Sequence, residues 1–143
     1  MMDLQEMSDR LEIQDLLARY SHAIDRNDWD ALDAVFTADA RIDYTAAGGI
    51  AGDYPEVKTW LAAILPAAFS MTQHLAATTQ LDLDGDSATA RTILFNPMVV
   101  RGEAEGEPQM LFAGLWYRDR LIRTDDGWRI SERVEEKGYT KVL

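Results

Sequence analysis

Thr72-Gln73-His74-Leu75-Ala76-Ala77-Thr78-Thr79-Gln80-Leu81-Asp82-Leu83 is the stretch at which the hydrophobic period of the chain changes from near 3.6 to 2. Three further segments keep the period of 2: Ala88 to Arg101, Gln109 to Arg123 and Trp128 to Tyr139. Asp84-Gly85 and Asp126-Gly127 join them as tight turns whose residues accept positive φ, and Gly102 to Pro108 reads as a looser charged hairpin loop. Four such strands in succession predict an antiparallel meander. They run to 12–15 residues, well beyond the usual five or six, and strands of that length twist and curl. Upstream of the change the period is helical. Ile13, Leu16, Leu17, Tyr20 and Ile24 form one face of a helix from Met7 to about Asp25. Asn27 or Asp28 is placed to cap a second helix from Trp29 through Phe36. Arg41 to Tyr44 reads as a short strand and Ala46 to Gly52 as a small-residue loop. Val57, Trp60, Leu61, Ile64 and Leu65 then carry a third helix that Pro55 opens and Pro66 closes. Helices first and strands later, with no βαβ alternation, give an α+β fold. A strongly curved, mainly antiparallel sheet with three N-terminal helices against its open side encloses a concave cavity.

The 143 residues suit a single domain spanning 1–143, and 47% hydrophobic with 27% charged residues is a globular composition. Fourteen basic against 25 acidic side chains leave a formal charge of −11. That balance disfavours nucleic acid and anionic membrane surfaces as partners. The absence of cysteine removes thiolate nucleophiles, disulfides and the common structural zinc sites. No apolar run approaches the roughly 18 residues of a membrane span. The acidic start of the chain has no apolar leader segment, so a cytoplasmic location is expected.

Few residues offer chemistry. Of the two histidines, His22 falls off the apolar face of the first helix and reads as a surface residue. His74 opens the first long strand with Thr72, Ala76 and Thr78 on its side, facing either solvent or a cavity. Asp25 ends the first helix, where a negative charge opposes the helix dipole and needs a compensating partner. Tyr20, on the buried helical face, and Tyr44, on the short strand, are either satisfied core residues or hydrogen-bond donors to a substrate oxygen. Asn96 and Arg133 interrupt apolar strands and are candidates for a cavity lining. Asp82 to Asp86 lacks the calcium-loop spacing and reads as a hairpin turn, and Gly48 to Gly52 matches neither a dinucleotide fingerprint nor a P-loop. No metal site is expected, and no G-x-S-x-G elbow is present.

The run Ile13 to Tyr20, then Asp25, Asp28 to Leu32, Phe36 to Ala40, His74, Gly114, Tyr117 and Asp126 to Ile130 resembles the SnoaL-like branch of the nuclear transport factor two-like superfamily. That group includes scytalone dehydratase, bile-acid dehydratase and lindane dehydrochlorinase. The resemblance runs through the whole chain. It implies a cone-shaped α+β barrel with a pocket between the sheet and the helices. It also implies that Asp25 and His74 pair inside the cone, with Tyr20 and Tyr44 on the same pocket. Scytalone dehydratase has a second pocket histidine on a later strand, and this chain has none there, which leaves Asn96 or Arg133 as stand-ins for handling the leaving group.

The activity expected on this basis is a cofactor-independent, dehydratase-type β-elimination from a cyclic, mostly apolar small molecule. His74 is the base and Asp25 its partner; Tyr20 and Tyr44 polarise a carbonyl or assist a departing hydroxyl. Trp60, Met71, Leu94, Met98, Phe112 and Trp116 are expected to supply the walls, and Asn96 and Arg133 polar contacts. Two alternatives stand beside it: a ketosteroid-isomerase-type proton shuttle with Asp25 as base, and a non-catalytic binding module. A dimer or trimer is expected from the resemblance. Ile93, Phe95, Val99, Phe112 and Trp116 cannot all be assigned to one cavity without knowing the register, so which of them line the pocket and which a subunit contact is open.

Overall fold

A computed structural model describes residues 1–102 and 106–143. The centre of the expected loop Gly102 to Pro108 therefore lies outside the described residues. Helix α1 (Leu4–Asp25) starts at Asp3, whose carboxylate accepts the Glu6 N–H. It buries Ile13, Leu16, Leu17, Tyr20 and Ile24, the face the spacing picked out. Asn27 takes a positive φ, and Asp28 then caps the turn that follows by accepting the Ala31 N–H.

That next element is a 3-10 helix (Trp29–Ala34), shorter than the expected helix to Phe36. Phe36 already belongs to strand β1 (Phe36–Asp43), which pairs in parallel with the last strand. A second 3-10 turn (Thr45–Ala47) leads to β2 (Ala51–Asp53), which pairs with β1 where a loop was expected. The three expected helices are thus two α-helices and short 3-10 turns. Helix α2 (Tyr54–Ala68) is capped by Asp53, with Pro55 in its first turn. It runs past Pro66, whose carbonyl is used by the Arg101 guanidinium at 2.7 Å.

Strands β3 (Phe69–Thr72), β4 (Leu75–Asp84), β5 (Ser87–Val100), β6 (Met110–Thr124) and β7 (Gly127–Val142) complete a seven-stranded sheet. Its order is β2-β1-β7-β6-β5-β3, with β4 also on β5. The expected single strand from Thr72 to Leu83 is divided at Gln73-His74, although both parts keep one register on β5: Thr72 lies opposite Met98 and Leu75 opposite Phe95. Gln73 donates to the Pro97 carbonyl, but Pro97 has no N–H to return, and the His74 N–H goes to Asp25. The ladder is interrupted at His74.

On the inner face β5 buries Leu94, Asn96 and Met98, and β6 buries Ala113, Leu115 and Tyr117. One register shift is decisive for the site. Leu121 lies opposite Ile130 and Arg120 opposite Glu132, so Ser131 is an extra residue, a β-bulge on β7. It changes the parity of the strand: Trp128 and Ile130 are buried before it, Arg133 after it. Among the described residues no helix is long and apolar enough to cross a membrane.

Candidate active site

Asp25 is the last residue of α1, and the interruption between β3 and β4 lies against it. Its carboxylate accepts three groups: the His74 ring Nδ1–H at 2.7 Å, the His74 backbone N–H at 2.9 Å and the Thr72 hydroxyl at 2.8 Å. These bonds supply the compensation that a carboxylate at a helix C-terminus needs. Burial acts to raise the Asp25 pKa, but the His74 and Thr72 hydrogen bonds outweigh it and the net direction is downward. An ionised Asp25 fixes the proton of the imidazole on Nδ1. Nε2 then carries the lone pair, and it lies 3.2 Å from the Asn96 amide nitrogen, which donates to it. The imidazole side chain is only 7% exposed.

His74 lines a cavity of about 280 Å³ between the sheet and α2, together with Tyr20, Tyr44, Trp60, Leu94 and Asn96. Met98 is also in its wall. The volume is at the lower end of ordinary ligand sites, about 300–1,000 Å³, so the space suits a small molecule. Near its mouth Gly49 lets Trp60 and Tyr44 approach: a Cβ there would come within 2.9 Å of the Trp60 ring and of the Tyr44 carbonyl.

Tyr20 and Tyr44 share a hydrogen bond of 2.7 Å between their hydroxyls, and the Tyr20 ring stands edge-on to His74. Burial raises the pKa of Tyr20 and pushes that of Tyr44 well above the usual range. Both stay neutral donors. Asn96 Oδ1 is buried without a partner among the described residues, an acceptor left open at the wall.

Four expected lining residues are elsewhere. Arg133 is 1% exposed and lies behind the tyrosines, not in the wall. Its guanidinium is 4.3 Å from the Tyr20 ring centre and 3.9 Å from that of Tyr117, and it makes two hydrogen bonds of 2.8 Å to Asp119. Met71, Phe112 and Trp116 point to the opposite face of the sheet, because the inner positions are even-numbered on β5 and odd-numbered on β6. Met71 is 62% exposed, Phe112 stacks on Phe95, and Trp116 lies under the Arg91 guanidinium. His22 is exposed, as its spacing indicates. Among the described residues no group of three or more His, Asp or Glu side chains is spaced to hold a metal ion.

Several cavity residues escape the reading of the sequence as site members, among them Leu111, Tyr117 and Glu135. Glu135 shared a signal with Arg133: two residues apart on one strand, they face the same side. Burial pushes its pKa up to about 8, with Arg133 opposing and Asp43 reinforcing the rise.

Comparison with known proteins agrees with this fold. The SnoaL-like domain family matches residues 5–134, and the chain belongs to that family. An uncharacterised protein of Mycobacterium tuberculosis (strain H37Rv), Rv2910c, is 50% identical over 143 residues, all of this chain and 95% of the relative. Among solved structures, the Kfla4162 protein of Kribbella flavida superposes with a TM-score of 0.85 at 26% identity, covering 94% of each chain. The hexachlorocyclohexane dehydrochlorinase LinA-type3 of Novosphingobium barchaimii superposes with a TM-score of 0.82 at 20% identity, over 99% of this chain and 94% of its own. A candidate scytalone dehydratase of Novosphingobium aromaticivorans gives 0.78 at 19%, over 94% and 87%. At such identities the last two share the fold.

Proposed function

We propose that this chain is a cofactor-independent carbon–oxygen lyase that carries out a dehydratase-type β-elimination on a small, cyclic, largely apolar molecule. The observation that carries the reading is the imidazole of His74 on the cavity wall, with Nδ1 held by an ionised carboxylate and the lone pair on Nε2, where the Asn96 amide donates to it until a substrate proton takes its place. His74 Nε2 takes a proton from the carbon next to a carbonyl. Tyr20 and Tyr44, one hydroxyl donating to the other, present the remaining O–H to the carbonyl oxygen as negative charge develops there. The C–H electrons form the double bond and the β-oxygen departs. Trp60, Leu94 and Met98 give a nonpolar wall suited to a ring. The names of two structural neighbours, a dehydrochlorinase and a candidate scytalone dehydratase, point to elimination chemistry in the same fold.

Asp25 as the base of an isomerase is less well supported, because its carboxylate is taken up by His74 and Thr72 and is not part of the cavity lining. The test is a panel of cyclic β-hydroxyketones of one or two rings, with enone formation followed by ultraviolet absorbance. Turnover by the wild-type protein and its loss in His74→Ala is the expected result. Full turnover in His74→Ala with loss in Asp25→Asn selects the isomerase-type base.

A further inference from the structure

An elimination needs a proton for the departing oxygen as well as a base for the carbon, and the groups first considered for that task are committed. The Asn96 amide donates to His74 Nε2 and lies 3.4 Å from the Met98 sulfur. Arg133 is bound to Asp119 through Nε and Nη2, and although its Nη1 has no partner among the described residues, it lies beneath the tyrosines and outside the cavity lining. Tyr20 and Tyr44 spend one of their two protons on each other.

Glu135 is different. The bulge at Ser131 turns it to the inner face of β7, opposite Tyr117 of β6. There it lines the same cavity as His74, with β5 and β6 lying between β7 and the break from β3 to β4 that holds His74. Burial and the charges of Arg133 and Asp43 act on its carboxyl, and no hydrogen bond from the described residues is among those influences. A carboxyl group on this cavity, without a hydrogen-bond partner among the described residues, is placed to meet a substrate atom.

We propose that Glu135 is the proton donor of this pocket, giving its carboxyl proton to the oxygen that leaves while His74 removes the proton on carbon. The proposal rests on the lyase reading above. In the step, His74 Nε2 accepts the α-proton, the C–H pair becomes the C=C bond, and the C–O bond breaks with its electron pair on oxygen. The Glu135 proton completes a water molecule. The Glu135 carboxylate and the His74 imidazolium that remain exchange one proton through solvent to reset the site. The groups that face Glu135 are Arg133 on its own strand, Asp43 of β1, Tyr20 of α1, Tyr44 after β1 and Tyr117 of β6, with His74 across the cavity. Burial and Asp43 outweigh the pull of Arg133, so Glu135 holds its proton up to about pH 8. Asp25, in the same site, is shifted the other way. Two carboxyl groups driven apart in this manner mark an acid and the partner of a base.

The experiment separates the two proton transfers. Cyclohexanone in deuterium oxide reports removal of the α-proton alone, by NMR; β-hydroxycyclohexanone reports elimination, by the absorbance of cyclohexenone. Expected is a loss of elimination of about 10²-fold or more in Glu135→Gln, with exchange retained, and a loss of both in His74→Ala. Wild-type elimination falls as pH rises through about 8; this alkaline limb is absent in Glu135→Gln and returns in Glu135→Asp. A carbon-13 titration of the Glu135 carboxyl in the free protein shows a midpoint near that value. Elimination at the wild-type rate in Glu135→Gln, or a Glu135 midpoint in the ordinary carboxylate range, overturns the donor and leaves the lyase reading standing. A wild-type protein that neither exchanges nor eliminates overturns the lyase reading, and the donor with it.

Discussion

Asp25 and Asp119 each hold a nitrogen base at nearly the same distance, 2.7 Å to His74 Nδ1 and 2.8 Å to each of two Arg133 nitrogens. The contacts look alike and their surroundings do not. Arg133 and Asp119 have side chains 1% and 0% exposed, closed over by the rings of Tyr20 and Tyr117. Burial opposes the charge on Arg133, but Asp119 keeps its pKa well above the usual value, so it is a fixed cation. His74 has a second nitrogen that reaches Asn96 and the cavity. The comparison teaches that an ion pair becomes chemistry when one of its partners is part of the wall of a hollow. A pair kept off the cavity lining, as Arg133 and Asp119 are even though Arg133 Nη1 has no partner among the described residues, braces the floor on which that hollow rests.

Asp119→Ala should have the largest effect on the fold. It strands a buried guanidinium, at about 3–5 kcal/mol, read as the loss of unfolding free energy in urea. A loss below about 1 kcal/mol would erase the distinction drawn here. His74→Ala, by contrast, should spare most of the stability and cut elimination by about 10²–10⁴-fold, measured as kcat/KM on a turned-over hydroxyketone. Glu135 tests the comparison through pH. Its folded pKa of about 8 lies above the ordinary 4.5, so the folded state holds the extra proton between those values. Stability should fall as pH rises across that window and level off beyond it, by a few kcal/mol at most. Thermal melts of Glu135→Gln should show a flatter dependence over the same range. The smallest effect is expected of Thr72→Val, which removes one hydrogen bond from Asp25 at about 0.5–1.5 kcal/mol. Because the Asp25 pKa is lowered in the fold, its contribution is present above the ordinary carboxylate range and lost as pH falls toward the lowered value. Urea curves at neutral and acid pH should show the Thr72→Val deficit at neutral pH and its narrowing in acid.

Much of the architecture was legible because it repeats along the chain. The face of α1, the change of period at Thr72 and the glycine-bearing turns are local patterns. Both turns fall within a residue of expectation, with Gly85 and Gly127 at positive φ. The departures have a common cause in pairing between distant strands. Phe36 leaves the helical pattern because it pairs with Ile130, and Ala51–Asp53 becomes a strand because β1 offers it an edge. In the wall, alternation says that Phe112 and Leu111 face opposite ways, but not which of them faces inward. Only the helices packed on one side of the sheet decide that, and they put Met71, Phe112 and Trp116 outside with Ile93 and Phe95.

The residue types of the site, their order and the sheet-forming alternation are properties of the linear chain, since they depend on neighbours a few positions away. Three things were decided only in the folded molecule. Asp25 reaches across 49 residues to His74, Arg133 is sealed by Asp119, and one bulged serine turns Glu135 toward the cavity. Each depends on how one strand is laid against another, and an extra residue reverses the side chains after it, here as far as the second register shift at Gly138, only through pairing with a distant strand.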